Sequence, residues 1–130
     1  MQVRPGVPAD EPELRRILGL TREAAQWIPE GDEVLVVERG AGLAGFLVWR
    51  YTAPDEIEIL NLAVDPVSRR TGVANALLAA IPRTVVFLEV RESNRAAQSF
   101  YLQAGFLAVG LRPGYYENPE EGAIVMRLQS

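Results

Sequence analysis

Apolar positions repeat along this 130-residue chain with two periods, and the changes of period outline its elements. Residues 2–4 read as a short strand. Leu14, Ile17 and Leu18 fall on one helical face, which predicts a helix from a capping Asp10 through Leu18. A second helix is predicted over 21–28, before Pro29 and Gly31. The runs EVLVVER (33–39) and LAGFLVWRY (43–51) flank a Gly-Ala-Gly turn and predict a hairpin. EIEILNLAV (56–64) is the third strand of that meander. A helix follows over 72–81 and stops at Pro82. RTVVFLEVR (83–91) is apolar on both faces for most of its length, the mark of a central strand. Ser93 is placed to cap a helix over 94–103, closed by Gly105. FLAVGLR (106–112) and GAIVMRL (122–128) are the last strands, on either side of the polar loop PGYYENPEEG.

The order β-α-α-β-β-β-α-β-α-β-β predicts an α/β fold, a mixed α+β sheet of about seven strands with four helices on its faces. One domain spanning 1–130 is expected, with a right-handed parallel crossover between the strands at 56–64 and 83–91. Within 56–64, Ile57 and Ile59 are apolar at odd positions, whereas Leu60, Leu62 and Val64 are apolar at even ones. Either the strand is buried on both faces, or its inside face switches through a β-bulge near Leu60 and Asn61. The bulge is the prediction. Beyond it, main-chain N–H and C=O groups would be left for an extended ligand.

Composition narrows the chemistry. The chain has no cysteine and no histidine, and its thirteen cationic side chains are all arginine. Disulfides, thiolate nucleophiles, cysteine–metal sites and a Ser-His-Asp triad are excluded, and no metal is expected. Acid–base work falls to Asp, Glu or Tyr. The net charge of −4 and the scattered arginines argue against nucleic acid as a partner. No apolar run approaches the roughly 18 residues of a membrane span, and the first residues lack the apolar core of a secretory signal. A cytoplasmic protein with no membrane partner is the expectation.

Arg69 and Arg70 are the exception to that scatter, and they stand in NLAVDPVSRRTGVANALLAAIP. Gly72 and the helix after it offer unpaired amides and a helix dipole, both of which favour an anion. Gly72 admits close backbone approach and Ala74 is small. The two arginines add charge, and Thr71 adds a hydroxyl donor. Charge-assisted bonds of this kind contribute about 1.5–3 kcal/mol each, so a diphosphate suits the turn. Neither a Walker A loop nor a G-x-G-x-x-G fingerprint is present. By itself the stretch reads better as a surface turn with solvated arginines ahead of a core helix. Its neighbours change the weighting. Glu89 stands near the end of the central strand, and Asn94 and Tyr101, seven residues apart, share a helical face. Asn94 alone reads as a cap, and Tyr101 alone as a packed phenol. Phe100 is expected to face the core.

Taken together, these residues resemble the GCN5-related N-acetyltransferase (GNAT) superfamily over essentially the whole chain. The superfamily's [Arg/Gln]-x-x-Gly-x-[Gly/Ala] signature is met by Arg69, Gly72 and Ala74, after the L-x-V-x-P of Leu62, Val64 and Pro66. The later N-x-x-A-x-x-x-Y-x-x-x-G-F is met by Asn94, Ala97, Tyr101, Gly105 and Phe106. LNLAVDP, LEVRESNRAAQSFYLQAGF and RPGYYENPEEGAIVMRL are most similar to the ribosomal-protein-alanine N-acetyltransferase (RimI-type) branch, with Gly114 where that branch often has asparagine.

The resemblance implies acetyl-CoA as cosubstrate. Its pantetheine arm would run along the main chain of Leu62, Ala63 and Val64. Its pyrophosphate would sit on the amides of Arg70, Thr71, Gly72, Val73, Ala74 and Asn75. Asn94 would bond the pantetheine, Tyr101 would stand at the sulfur and protonate the departing thiolate, and Tyr115 and Tyr116 would wall the acceptor channel. Transfer would be direct, to a primary amine. Glu89 is expected as base, with burial beside Phe87 raising its pKa, and Glu58 is the rival. A backbone N–H near Val64 would hold the oxyanion. The acceptor expected is a protein N-terminus, a ribosomal protein among the candidates. An α-amine (pKa about 7.7–8.0) deprotonates more easily than lysine (about 10.4). Glu117, Glu120 and Glu121 are either attractors of a cationic acceptor or an exposed solubilising loop. Acetylation of a small amine, and a non-catalytic CoA-binding module, are the alternatives. Monomer and homodimer both stay open.

Overall fold

The computed structural model describes residues 1–21, 32–116 and 120–129. Among them are seven strands: β1 (Val3–Pro5), β2 (Glu33–Arg39), β3 (Gly42–Ala53), β4 (Glu56–Val64), β5 (Val85–Arg91), β6 (Leu107–Tyr116) and β7 (Glu121–Gln129). Three α-helices accompany them: α1 (Glu11–Leu20), α2 (Val73–Ala80) and α3 (Arg95–Gln103). The helix predicted over 21–28 lies, apart from an extended Thr21, outside the described residues. The strands hydrogen-bond in the order β1-β2-β3-β4-β5-β7-β6. The β4/β5 pair is parallel, and β1/β2, β2/β3, β5/β7 and β6/β7 are antiparallel. This is the mixed sheet that the alternation of strand and helix patterns predicts. No helix among the described residues is long and apolar enough to cross a membrane.

The chain divides into two compact units, residues 1–50 with 60–82 and residues 51–59 with 83–130. The first unit is built on α1. Leu14, Ile17 and Leu18 are buried with Val36, Leu43, Phe46, Val48 and Ala63, and Leu60 and Val34 pack against the cluster. Burying such side chains contributes about 1.5–3 kcal/mol each. Asp10 precedes α1 but does not cap it. Its carboxylate accepts the Val7 N–H (2.8 Å) and a two-pronged pair from Arg4 (2.8 and 2.9 Å). Pro12, at the second position of α1, has no N–H for a cap to hold.

In the second unit β5 stands between β4 and β7. Glu56, Ile57 and Glu58 pair with Val85, Val86 and Phe87, and Glu89 lies opposite Val125. Val86, Leu88 and Val90 are buried, while Phe87, Glu89 and Arg91, on the other face, are half-buried. Strand β6 is longer than its sequence predicts. Gly114 takes a positive φ of 61° at an irregularity between Arg112 and Tyr116, which lets pairing resume past Pro113. The last strand in the order tolerates that proline. Tyr115 and Tyr116 therefore sit on a strand, not in a loop.

Along β4 the burial alternates without a break. Ile57, Ile59, Asn61 and Ala63 are buried, and Leu60, Leu62 and Val64 are half-buried. Leu60 and Ala63, of opposite parity, nevertheless meet the same α1 cluster, and the pairing of β4 with β5 is over Glu56, Ile57 and Glu58, which agrees with the predicted change of inside face.

Candidate functional site

In the first unit β4 runs into a tight turn. The Asp65 side chain accepts the Val67 N–H (3.2 Å) and starts a single 3-10 turn over Pro66–Ser68. The Asp65 N–H donates to Ala44 O (2.8 Å), which ties the turn to β3. The Asp65 carboxylate is almost wholly buried and accepts hydrogen bonds from Arg16 (2.8 Å) and Arg39 (3.2 Å). Arg39 also donates to the Ser68 hydroxyl (2.7 Å). Burial alone would raise the Asp65 pKa. The Arg16 hydrogen bond, the Val67 N–H and the two positive charges outweigh it, and the group stays below the usual range.

Arg69, Arg70, Thr71 and Gly72 are exposed. The Thr71 hydroxyl donates to Ser68 O, so its proton holds the turn together and is not offered outward, contrary to expectation. Two of these residues are left-handed: Gly72 at φ 88° and, unusually for a residue with a side chain, Arg70 at φ 63°. The first helical bond of α2 is Ala76 N–H to Gly72 O (2.9 Å), so the amides of Val73, Ala74 and Asn75 precede the helical ladder. A side chain at Gly72 would meet nothing within 4 Å. Val73 is buried, Ala74 half-buried and Asn75 exposed.

Gly45 on β3 sets how closely α2 can approach. A Cβ there would come within 2.8 Å of Val73 Cγ1 and 2.9 Å of Ala63 O. Sequence reading missed both Gly45 and the Asp65–Arg16–Arg39 anchor. Asp-Pro after an apolar strand signals a turn, but its two cationic partners are distant in sequence.

In the second unit Glu89 and Tyr101 are both largely buried. The Glu89 side chain is 14% exposed. Its Oε1 lies 3.4 Å from Arg112 Nη2, and Oε2 is buried without a hydrogen-bond partner. Burial raises the Glu89 pKa, the Arg112 charge opposes the rise and Glu58 adds to it. The direction is the expected one, but the partner is Arg112 on β6 and not a neighbour in sequence. Glu58 is half-buried opposite Phe87, on the same face of the sheet as Glu89.

Tyr101 is the buried residue of α3, and Phe100, expected in the core, is only half-buried. The Tyr101 ring meets Phe100 and Phe106 edge-on at centroid distances of 5.2 and 5.3 Å. The helix closes by Gly105 N–H to Leu102 O (3.1 Å) and Phe106 N–H to Tyr101 O (2.9 Å), with Gly105 at φ 103°. The motif that ends α3 thus fixes Tyr101. Burial pushes its phenol well above the usual range, so it stays protonated at neutral pH.

Asn94, not Ser93, caps α3. Its Oδ1 accepts the Ala97 N–H (3.1 Å), which leaves the amide nitrogen as the group a ligand could meet. Ser93 instead donates its N–H (2.9 Å) and hydroxyl (3.1 Å) to Glu121, which Arg91 also approaches (3.3 Å). Glu121 is therefore an internal partner held below the usual carboxylate range, chiefly by the Ser93 N–H, and is not part of an acceptor-attracting loop. Glu117 lies outside the described residues. Tyr115 and Tyr116 contact edge-on at 5.1 Å. Arg112 lies over the Tyr115 ring (5.5 Å), and Arg91 lies over Tyr116 (4.3 Å). Burial first, then Glu89, push the Tyr116 phenol up to about 12.

Fold and site define a mixed α/β protein with a glycine-led turn at a helix start in one unit and a buried carboxylate and phenol in the other. A family model described as an acetyltransferase (GNAT) domain matches residues 30–107. The ribosomal protein bS18-alanine N-acetyltransferase of Haemophilus ducreyi is 38% identical over 87 residues, 59% of this chain and 60% of that protein. The solved structure of Ard1 from Thermoplasma volcanium is 31% identical with a TM-score of 0.79, covering 98% of this chain and 95% of that one. An acetyltransferase of Bacillus subtilis, solved in complex with CoA, shares the fold at 20% identity and a TM-score of 0.78, covering 99% and 98%. The matched region spans 26%, 60% and 59% of the first three curated relatives. The chain belongs to the GNAT acetyltransferase family.

Proposed function

We propose that the chain is an acetyl-CoA-dependent N-acetyltransferase whose acceptor is the α-amine of a protein or peptide N-terminus. The observation that carries this reading is Glu89, a carboxylate with one buried, unpartnered oxygen and a pKa raised by burial. A carboxylate moved toward neutrality is a better base at working pH. Glu89 takes the proton from the arriving ammonium, directly or through water, and the neutral amine attacks the thioester carbonyl. Glu58 serves the reaction through its charge, which keeps Glu89 basic. The C–N bond forms as the C–S bond breaks.

Tyr101 faces the departing sulfur as a protonated phenol. Full proton transfer from a phenol raised by burial to a thiolate, whose own pKa is near 8.5, is uphill. A hydrogen bond to sulfur is therefore the main contribution of Tyr101. The residues of the first unit fit an anion. Val73, Ala74 and Asn75 supply amides ahead of the helical ladder, Gly72 leaves open space, and Arg69 and Arg70 bring charge. The left-handed Arg70 is strain of the kind that persists at ligand sites. Leu62, Ala63 and Val64 supply main chain to the pantetheine, and the amide nitrogen of Asn94 is its side-chain contact.

The preference for an N-terminus is supported by the printed activity of the Haemophilus ducreyi relative and by the lower basicity of an α-amine. Tyr115 and Tyr116 are the acceptor wall in this reading. The test incubates the protein and acetyl-CoA with N-terminal peptides and, separately, with small amines, and follows products by mass spectrometry. Peptide α-amines should be acetylated, and turnover confined to small amines sinks the peptide reading. Glu89→Gln should lose about 10²–10⁴ in turnover and retain CoA binding by thermal shift. Full activity in both Glu89→Gln and Tyr101→Phe would remove these assigned roles.

A further inference from the structure

The two oxygens of Glu89 are in different circumstances. Oε2 is buried and accepts nothing, while Oε1 faces the guanidinium of Arg112 at 3.4 Å. That separation is longer than a charge-assisted hydrogen bond, so the contact is an ion pair and not a clamp. The partners are unequally placed. Glu89 is largely buried, whereas the Arg112 side chain is 58% exposed on edge strand β6.

The charged and titratable groups around Glu89 come from every strand packed there. They are Glu58 on β4, Arg91 on β5, Arg112 and Tyr116 on β6, and Arg127 on β7. Arg91 is engaged by Glu121 (3.3 Å) and the Tyr116 ring (4.3 Å). Arg127 lies over the Phe87 ring at 5.7 Å. Arg112 is the cation that meets Glu89, and the same guanidinium rests on Tyr115, in the proposed acceptor wall.

We propose that Arg112 is an exchangeable counter-ion: its guanidinium holds the cationic place beside Glu89 in the free protein and yields it to the ammonium of the acceptor. This rests on the reading of Glu89 as the base. A buried carboxylate next to another carboxylate favours its neutral form, and a base must start ionised. Arg112 supplies the opposing charge until an acceptor arrives. An ion pair this long, with its cation mostly in solvent, changes an equilibrium by only a few-fold, so it gives way readily. The acceptor brings an equal charge and donors for Oε2, which Arg112 leaves unsatisfied. Were Arg112 to stay, it would repel the ammonium that Glu89 must deprotonate. Arg112 is a positioning residue that acts through Glu89, and it makes the site selective for a cationic amine over a neutral one.

The experiment has two readouts on the full chain. Carboxyl-carbon NMR titration of the free protein, with Glu89→Gln identifying the signal, compares wild type, Arg112→Gln and Arg112→Lys. The Glu89 midpoint should move to higher pH in Arg112→Gln and return toward wild type in Arg112→Lys. An unmoved midpoint overturns the pairing. Acetylation of an N-terminal peptide is then followed against pH. On the acid limb, kcat/KM should fall roughly two- to fivefold in Arg112→Gln, the range open to a long ion pair whose cation is mostly in solvent. The acid limb of kcat should stay in place, because kcat reports the complex from which Arg112 has withdrawn. Equal displacement of both limbs means that Arg112 remains beside Glu89, and it overturns the exchange. A moved midpoint with no amine acetylated leaves the pairing intact but refutes Glu89 as base, and the exchange falls with it.

Discussion

Gly45→Ala should loosen the first turn of α2 and weaken the hold on acetyl-CoA at once. The added Cβ would lie 2.8 Å from Val73 Cγ1, 2.9 Å from Ala63 O and 3.4 Å from Val64 Cα. The carbonyl belongs to β4 and cannot rotate away. Val73 is buried at the first position of α2, where a β-branched side chain has one strongly preferred rotamer. Relief therefore requires the start of α2 to move outward by a few tenths of an ångström or more. Glycine-to-alanine replacement elsewhere gains about 0.4–1 kcal/mol by restricting the unfolded chain. Overpacking a buried contact costs about 1–3 kcal/mol, and here the steric term wins. The net loss of about 1–2 kcal/mol corresponds to a fall in Tm of roughly 3–8 °C for a domain of this size. Gly19→Ala in α1 is the control, because its Cβ meets nothing within 4 Å and it should hold or raise Tm. Acetyl-CoA affinity, measured by calorimetry well below the Tm of each variant, should fall in Gly45→Ala and not in Gly19→Ala. Wild-type Tm and affinity in Gly45→Ala would refute the idea that close seating of α2 on β3 builds the cradle.

Asp65→Asn should cost about 1–3 kcal/mol by urea unfolding at pH 7, since charged hydrogen bonds are lost but both arginines keep access to solvent. The folded-state pKa of Asp65 is depressed, so its contribution is present above the ordinary aspartate value and is lost as pH falls through the lower folded value. Wild type should lose its advantage over Asp65→Asn only in that acid window, and a constant gap at all pH values would refute the ion-pair account. Asn94→Ala should lose about 1 kcal/mol with the cap, whereas Asn94→Asp keeps an acceptor for the Ala97 N–H and should hold stability. If the Asn94 amide nitrogen bonds pantetheine, CoA affinity falls in Asn94→Asp as well. Unchanged affinity there confines Asn94 to capping.

What the sequence made legible was the part of the fold encoded at short range. Leu14, Ile17 and Leu18 mark the buried face of α1 by spacing alone. Gly105 marks the end of α3 because a left-handed position after a helix selects glycine. The same logic failed where two local codes overlapped. Ser93 and Asn94 are both good caps, and which one faces the helix is decided by Glu121, which draws Ser93 away across 28 residues of chain. On β4 it did not fail: apolar residues of both parities marked the change of face that sets Leu60 and Ala63 against one cluster.

The candidate site divides along the same line. Arg69, Gly72, Ala74, Asn94 and Tyr101, the residues proposed to hold the ligand, were readable because each is marked by its own backbone or helix position. The residues that set their chemistry act across the fold. Asp65 depends on Arg16 and Arg39. The approach of α2 depends on a glycine in β3 that no motif contains. Glu89 was readable as a carboxylate near the end of a central strand, but its partner was not: it meets Arg112, which the β5-β7-β6 order brings within reach. That placement bears on the chemistry as well as the partner. Arg91 is engaged by Glu121 and Tyr116, whereas Arg112 stands on an edge strand with most of its side chain in solvent. For the proposed base, a counter-ion able to leave suits a charged substrate, and it is the strand order that sets Arg112, and not a sequence neighbour, beside Glu89.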